Sequence, residues 1–176
     1  RREFDLDIRV RGIATSKKML ISEEGVDLST WREQLRDYGI PYNEEIFLSH
    51  IKASYYPHWV LVDATASADR AMQYKSFIES GFHVITPNTK ASSGPYPYYL
   101  SLYEASQRTG KKFLYETTVG AGLPIITTLK DLRETGDIIE KVEGMVSGTL
   151  SWLFTNYDGT VPFSELVRKA RDMGFT

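Results

Sequence analysis

The 176-residue sequence contains no cysteine. That excludes a disulfide framework and a thiolate metal centre, and it fits a reducing compartment, by default the cytoplasm. No apolar run approaches the ~20 residues needed to cross a bilayer, and the opening RREFDLDIRV has no apolar signal-peptide centre. Neither secretion nor a membrane anchor is expected. An excess of one charge is also missing: 21 Lys and Arg stand against 23 Asp and Glu. The formal charge of -2 supplies no field that would gather phosphates on a broad basic face, so nucleic acid is not an expected partner. The histidines His50, His58 and His83 share no metal-ligand spacing and receive no role. No Ser/His/Asp arrangement, internal repeat or low-complexity tract is present.

What is present is an ordinary globular composition, 41% hydrophobic and 25% charged, with room for one domain or two small ones. Short β-branched runs alternate with helical patterns, which predicts crossover units on a mainly parallel sheet. The predicted strands are Ile8 to Ala14, Trp59 to Asp63, His83 to Thr86 and Lys112 to Glu116. Helical spacing covers Asn43 to Lys52, Ala68 to Glu79 and Tyr98 to Arg108, with Gly81 and Gly110 where helices should stop. Residues 15 to 42 mix turn residues with one short helix around Trp31 to Tyr38 and are otherwise unassigned. After residue 116 the pattern changes to a helix from Leu123 to Glu134, a strand over 137 to 147, and two more helices. In the last helix Phe163, Leu166, Val167, Ala170 and Met173 form one apolar stripe.

In open α/β sheets ligands bind beyond the carboxyl ends of the strands. Three such ends carry polar turns: ATSKK at 14 to 18, DATAS at 63 to 67 and TPNTK at 86 to 90. Each alone reads equally as a helix cap or turn, with Thr65 or Ser67 as N-cap and Pro87 with Asn88 as a turn. Their recurrence at three ends favours a site. Dinucleotide folds that prefer NAD place an acidic residue at the end of the second strand, whereas this chain has Thr15, Ser16, Lys17 and Lys18. A hydroxyl beside two ammonium groups suits a 2′-phosphate, so NADP is favoured over NAD if a cofactor binds here. Two solvated surface lysines are the competing explanation. No G-x-G-x-x-G pattern lies upstream of Ile8.

Glycines at 120 and 122 in YETTVGAGLPII allow a sharp turn beside Glu116. That turn serves either a hard cation held by oxygens, an anionic group at the following helix, or close helix-to-strand packing. SGTLSW, with Ser147, Gly148 and Thr149 at a predicted strand-to-helix junction, faces the same choice between anion contact and an N-cap. Tyr96, Tyr98, Tyr99 and Tyr103 read as helix packing rather than a stacking platform.

The segments VDATAS, GFHVITPNTKASS, YETTVGAGLPII, TGDIIEKVEGMVSGTLSWLF and FSELVRKARDMGFT, in this order, resemble homoserine dehydrogenase, particularly the form fused behind aspartokinase. The resemblance implies a partial Rossmann-like parallel sheet in a nucleotide-binding domain over 1–116. The start of an α+β substrate and dimerisation domain would then occupy 117–176. It implies reduction of aspartate 4-semialdehyde to homoserine with NADPH or NADH, in threonine and methionine biosynthesis, by a homodimer or higher homo-oligomer. It places Thr15, Ser16, Lys17, Thr65, Pro87 and Asn88 at the cofactor, with Thr65, Pro87 and Asn88 near its nicotinamide. Gly148 and Thr149 would lie at the substrate. A monovalent, sodium-like cation would sit on Glu116 and the backbone oxygens of Val119, Ala121 and Leu123.

Three positions depart from the family pattern, and two of its motifs are incomplete. Ala64 and Ala66 replace residues that are often polar or larger. Thr89 stands where the family has a lysine directly after the asparagine, and Lys90 follows, so Lys90 is the expected catalytic lysine. A threonine has no charge with which to polarise an aldehyde oxygen. The signature opening ARDMGFT breaks off at Thr176, before the family's acid or base lysine, and no glycine-rich loop precedes Ile8. The expectation is therefore an internal piece of a longer enzyme, inactive by itself, because hydride transfer needs cofactor and substrate positioned together.

Overall fold

A computed structural model describes residues 6–53 and 56–175. Residues 1 to 5 and Thr176, in the opening and closing motifs discussed above, lie outside the described residues. The chain divides into two compact units, one ending at Trp59 and one beginning at Val60.

In the first unit β1 (Gly12–Ala14) runs antiparallel to β2 (Lys18–Ile21), with Ile13 opposite Leu20 and Ala14 opposite Met19. The predicted parallel strand from Ile8 is thus shortened and reversed. Thr15 causes the reversal: its hydroxyl accepts the amides of Lys17 and Lys18 at 3.3 and 3.1 Å, closing a tight turn. Helix α1 (Trp31–Tyr38) follows and buries Leu35. Strand β3 (Ile40–Pro41) then pairs antiparallel with β2. Helix α2 (Glu44–Lys52) is capped by Asn43, whose side chain accepts the Ile46 amide at 3.0 Å. Its Phe47 ring packs on β1 where Gly12 leaves room, since a Cβ at Gly12 would lie 2.5 Å from the ring.

The second unit holds the predicted crossover units on a parallel sheet. Strand β4 (Trp59–Val62) leads through two short helices, α3 (Ala68–Ala71) and α4 (Tyr74–Glu79), to β5 (Phe82–Ile85). The single helix expected over 68 to 79 breaks at Met72 and Gln73. From β5 the chain passes through α5 (Lys90–Ser93) and α6 (Tyr96–Thr109) to β6 (Phe113–Leu114). The sheet order is β4-β5-β6, and β5 pairs parallel with β6, Val84 opposite Phe113. Tyr74, Phe77, Ile78, Phe82, Val84 and Leu102 are buried where α4 and α6 cover the sheet. Two of the four tyrosines serve packing as expected, Tyr98 donating to Ala71 O at 2.7 Å and Tyr99 placing its hydroxyl 2.7 Å from that of Tyr115, whereas Tyr96 and Tyr103 are exposed. His83 also has a structural contact, its Nδ1 accepting the Lys112 amide at 3.0 Å.

Beyond a single 3-10 turn at Glu116–Thr118 lie α7 (Ile125–Glu134), α8 (Gly148–Asn156) and α9 (Phe163–Asp172). Leu166 and Ala170 of the predicted stripe are buried against Leu153 of α8. The strand expected over 137 to 147 does not form; this segment is irregular and leaves Ile138 85% and Val142 61% exposed. A strand exists only where a neighbour takes its backbone hydrogen bonds, and among the described residues no strand pairs with this segment.

Candidate active site

The loops leaving β4 and β5 are built by the same local device. In D-A-T-A-S, Asp63 Oδ1 accepts the Thr65 amide at 2.9 Å and Thr65 Oγ1 accepts the Ser67 amide at 3.2 Å. Ser67 Oγ then caps α3 at the Arg70 amide, 3.2 Å away. In T-P-N-T-K, Thr86 Oγ1 accepts the Asn88 amide at 2.9 Å and Asn88 Oδ1 accepts the Lys90 amide at 3.1 Å. Polar side chains at alternate positions reach the amide two residues on, so both loops are predetermined turns.

A buried network joins the two loops. Asp63, Thr86 and Asn88 are 4%, 2% and 5% exposed, and Tyr74, the first residue of α4, is fully buried. The Tyr74 hydroxyl donates to Asp63 Oδ2 and lies 2.9 Å from Thr86 Oγ1. Asn88 Nδ2 donates to Asp63 Oδ2 at 3.3 Å and to Ser67 O at 2.9 Å, while Thr86 Oγ1 donates to Asp63 O at 2.9 Å. Burial alone would raise the Asp63 carboxyl, but hydrogen bonds from Tyr74, Thr65 and Asn88 outweigh it and hold the group below the usual carboxylate range. Burial, reinforced by Asp63, pushes the Tyr74 phenol well above its ordinary value, so it stays a hydrogen-bond donor.

This arrangement divides the predicted residues. Thr65, Pro87, Thr89 and Lys90 face solvent, whereas Asn88 turns inward and its amide is committed to the network. Asp63 and Tyr74 escaped the sequence reading. Asp63 was visible as the first letter of D-A-T-A-S, but nothing in the spacing pairs it with a tyrosine eleven residues on.

In the first unit the Thr15 to Lys17 turn borders a cavity of about 500 Å³ lined by Thr15, Lys17, Lys18, Trp31, Arg32, Leu35 and Arg36. Most of the surface lining it is apolar, and Arg32 and Arg36 join the two lysines read from sequence at its border. Lys18 Nζ donates to Arg36 O at 2.7 Å, Arg36 pairs with Asp37 at 2.7 Å, and the Arg32 guanidinium sits 5.0 Å from the centre of the Trp31 ring.

Around Glu116 the structure supports helix capping. Its Oε1 accepts the Ile126 amide at 2.9 Å, and its Oε2 accepts the Thr127 amide at 2.8 Å and the Thr127 hydroxyl. These bonds, the Thr127 hydroxyl first, hold the carboxyl below its ordinary range. Gly120 and Ala121 adopt left-handed backbone at φ 70° and 52°, and a Cβ at Gly120 would meet Ile125 at 2.3 Å. Among the described residues no three His, Asp or Glu side chains gather as metal ligands. Ser147 caps α8 by accepting the Leu150 amide at 3.2 Å. The Thr149 hydroxyl donates to Phe175 O at 2.6 Å, and Gly148 borders open space.

A family model described as the homoserine dehydrogenase NAD-binding domain matches residues 1–116, and one described as homoserine dehydrogenase matches residues 124–176. The chain belongs to the homoserine dehydrogenase family. A bifunctional aspartokinase/homoserine dehydrogenase of Arabidopsis thaliana, named as chloroplastic, is 49% identical over 99% of the chain. The chain spans only 19% of that relative's length. A crystal structure of a Candida auris protein of unknown function superposes with a TM-score of 0.81 at 33% identity, covering 97% of this chain and 50% of that one. A hyperthermophilic archaeal homoserine dehydrogenase in complex with NADPH has a TM-score of 0.71 at 18% identity, covering 99% of this chain and 54% of that one. At that identity the likeness shows the fold, a Rossmann-like sheet that other homoserine dehydrogenases share.

Proposed function

We propose that these residues are part of an NADP-preferring homoserine dehydrogenase that interconverts aspartate 4-semialdehyde and homoserine. The nucleotide-binding part would lie within 1–116 and the substrate and dimerisation part would begin at 117. The observation that carries the reading is the buried join of the 63–67 and 86–90 loops in a chain of this family. That join presents Thr65, Pro87 and Lys90 together at the carboxyl ends of adjacent strands.

When bound, the nicotinamide accepts or returns the hydride. The exposed Lys90 would supply positive charge to the substrate oxygen, and Gly148 and Thr149 would border the amino-acid moiety. Thr15, Ser16 and Lys17 would hold the 2′-phosphate. The fit rests on the cations beside them, Lys17 and Arg32, which attract a phosphate that an acidic side chain there would repel.

A sodium-like cation on Glu116 with the carbonyls of Val119, Ala121 and Leu123 belongs to the same proposal. These are hard oxygen donors with one negative charge, although Glu116 also caps α7 and Leu123 O already accepts the Ile125 amide at 2.9 Å. The exposed Ile138 and Val142 segment supports a homodimer formed by strand pairing between copies. A cysteine-free chain suits a cytoplasmic or other reducing compartment.

The test is homoserine-dependent reduction of NADP by the full-length protein, beside NAD and a panel of other small alcohols. Turnover confined to homoserine sustains the reading. Nucleotide binding without turnover of any alcohol would make it a nucleotide-sensing relative, and turnover of another alcohol would make it a different dehydrogenase.

A further inference from the structure

We propose that Tyr74 is a positioning residue. With Asp63 and Thr86 it latches the 63–67 loop to the 86–90 loop, and through Asn88 it sets the turn that carries Lys90. The kinetic part of this inference rests on the homoserine dehydrogenase reading; the latch itself does not.

The hydrogen-bond inventory argues for a latch. Three bonds cross between the loops: Asn88 Nδ2 to Asp63 Oδ2, Asn88 Nδ2 to Ser67 O, and Thr86 Oγ1 to Asp63 O. Both amide hydrogens of Asn88 go to those acceptors, and its oxygen takes the Lys90 amide, so Asn88 acts through what it holds. Asp63 is the acceptor shared by both loops, a buried carboxylate whose donors offset the cost of its burial. Among the described residues, Tyr74 is the one partner of that carboxylate contributed by a helix rather than by either loop. Both hydroxyl protons at this point go to Asp63, the Tyr74 proton to Oδ2 and the Thr86 proton to the main-chain oxygen, so α4 holds Asp63 directly and the end of β5 through it. A phenol within a core of Phe77, Ile78 and Phe82 has no packing advantage over phenylalanine, which leaves its hydroxyl as the reason for a tyrosine.

The variants are Tyr74→Phe, which removes the hydroxyl and keeps the ring, Thr86→Val, which removes the second hydroxyl at equal size, and Thr86→Ser, which restores it. In the full-length protein, hydrogen exchange of peptides covering 63–67 and 87–92 is expected to quicken about tenfold in Tyr74→Phe and Thr86→Val, with the α6 peptide unchanged. Homoserine oxidation should show kcat reduced about tenfold with the KM for NADP within about twofold of wild type, and Thr86→Ser should match wild type on every readout. Unchanged exchange in both loops overturns the latch, as does an equal rise in α6, which would mean general destabilisation. A lowered thermal midpoint with kcat intact overturns the positioning role. A wild-type protein that oxidises no homoserine defeats the functional reading instead, and the exchange arm still decides the latch. If Tyr74→Phe does not fold, the Thr86 pair decides by the same criteria.

Discussion

Thr89 precedes α5 without capping it through its side chain, and it is exposed. A lysine there therefore costs the turn nothing, and Thr89→Lys in the full-length protein should raise kcat/KM for homoserine. An unchanged value would mean that Lys90 already supplies the charge. Glu116 makes a second prediction, in acid. Its folded-state pKa is depressed, so its stabilising effect is complete above the unfolded value near 4.5 and is lost as pH falls through the lower folded value. Glu116→Gln should lower the thermal midpoint at pH 7 and converge with wild type below pH 4.5. A constant gap between the two melting curves across that range would remove the carboxylate from the capping role. Residue-level reading from sequence succeeded where the partner is adjacent in the chain: Ser67 and Ser147, both read as N-cap candidates, each reach an amide three residues on. It failed for Asp63 and Tyr74, whose meeting depends on the break between α3 and α4.

Helices and strands differ in how far their causes reach. Trp31 to Tyr38 and Phe163 to Asp172 form where apolar spacing and turn residues place them, because helical hydrogen bonds close within four residues. The run over 137 to 147 has β-branched residues yet forms no strand, because a strand's bonds close on another segment. The same non-local dependence turned the predicted parallel strand at 8 to 14 into half of a hairpin with β2. For α8 and α9 the stripe specifies a testable contact. Leu166→Ala empties a 7% exposed site against Leu153 and should cost about 2–4 kcal/mol. The expected result is faster proteolysis within residues 157 to 162, the connection between the two helices. Cleavage at the wild-type rate would mean that the pair is held by something other than this cluster.

At the scale of the molecule, a formal charge of -2 gives no long-range attraction for an anionic dinucleotide. On the proposed reading, a preference for NADP over NAD would draw on the local cations Lys17, Lys18, Arg32 and Arg36. Raising ionic strength should weaken NADPH binding more than NADH binding, and Lys17→Ala should narrow that difference by about threefold or more. Equal salt dependence for the two cofactors, measured by fluorescence titration of the full-length protein, would locate the 2′-phosphate elsewhere.

The sequence by itself determined the family, most of the helices, the caps at Ser67 and Ser147 and the two polar turns at the strand ends. Each of these is carried by residues within a few positions of one another. Only the tertiary structure decided the hairpin at Thr15, the irregular course of 137 to 147, and the use of Glu116 to cap α7. It alone also brought Tyr74, Asp63, Thr86 and Asn88 into one buried network. The physical reason is common to all four: a backbone or side-chain group commits its hydrogen bonds to the partner that folding brings near, and no local pattern names that partner.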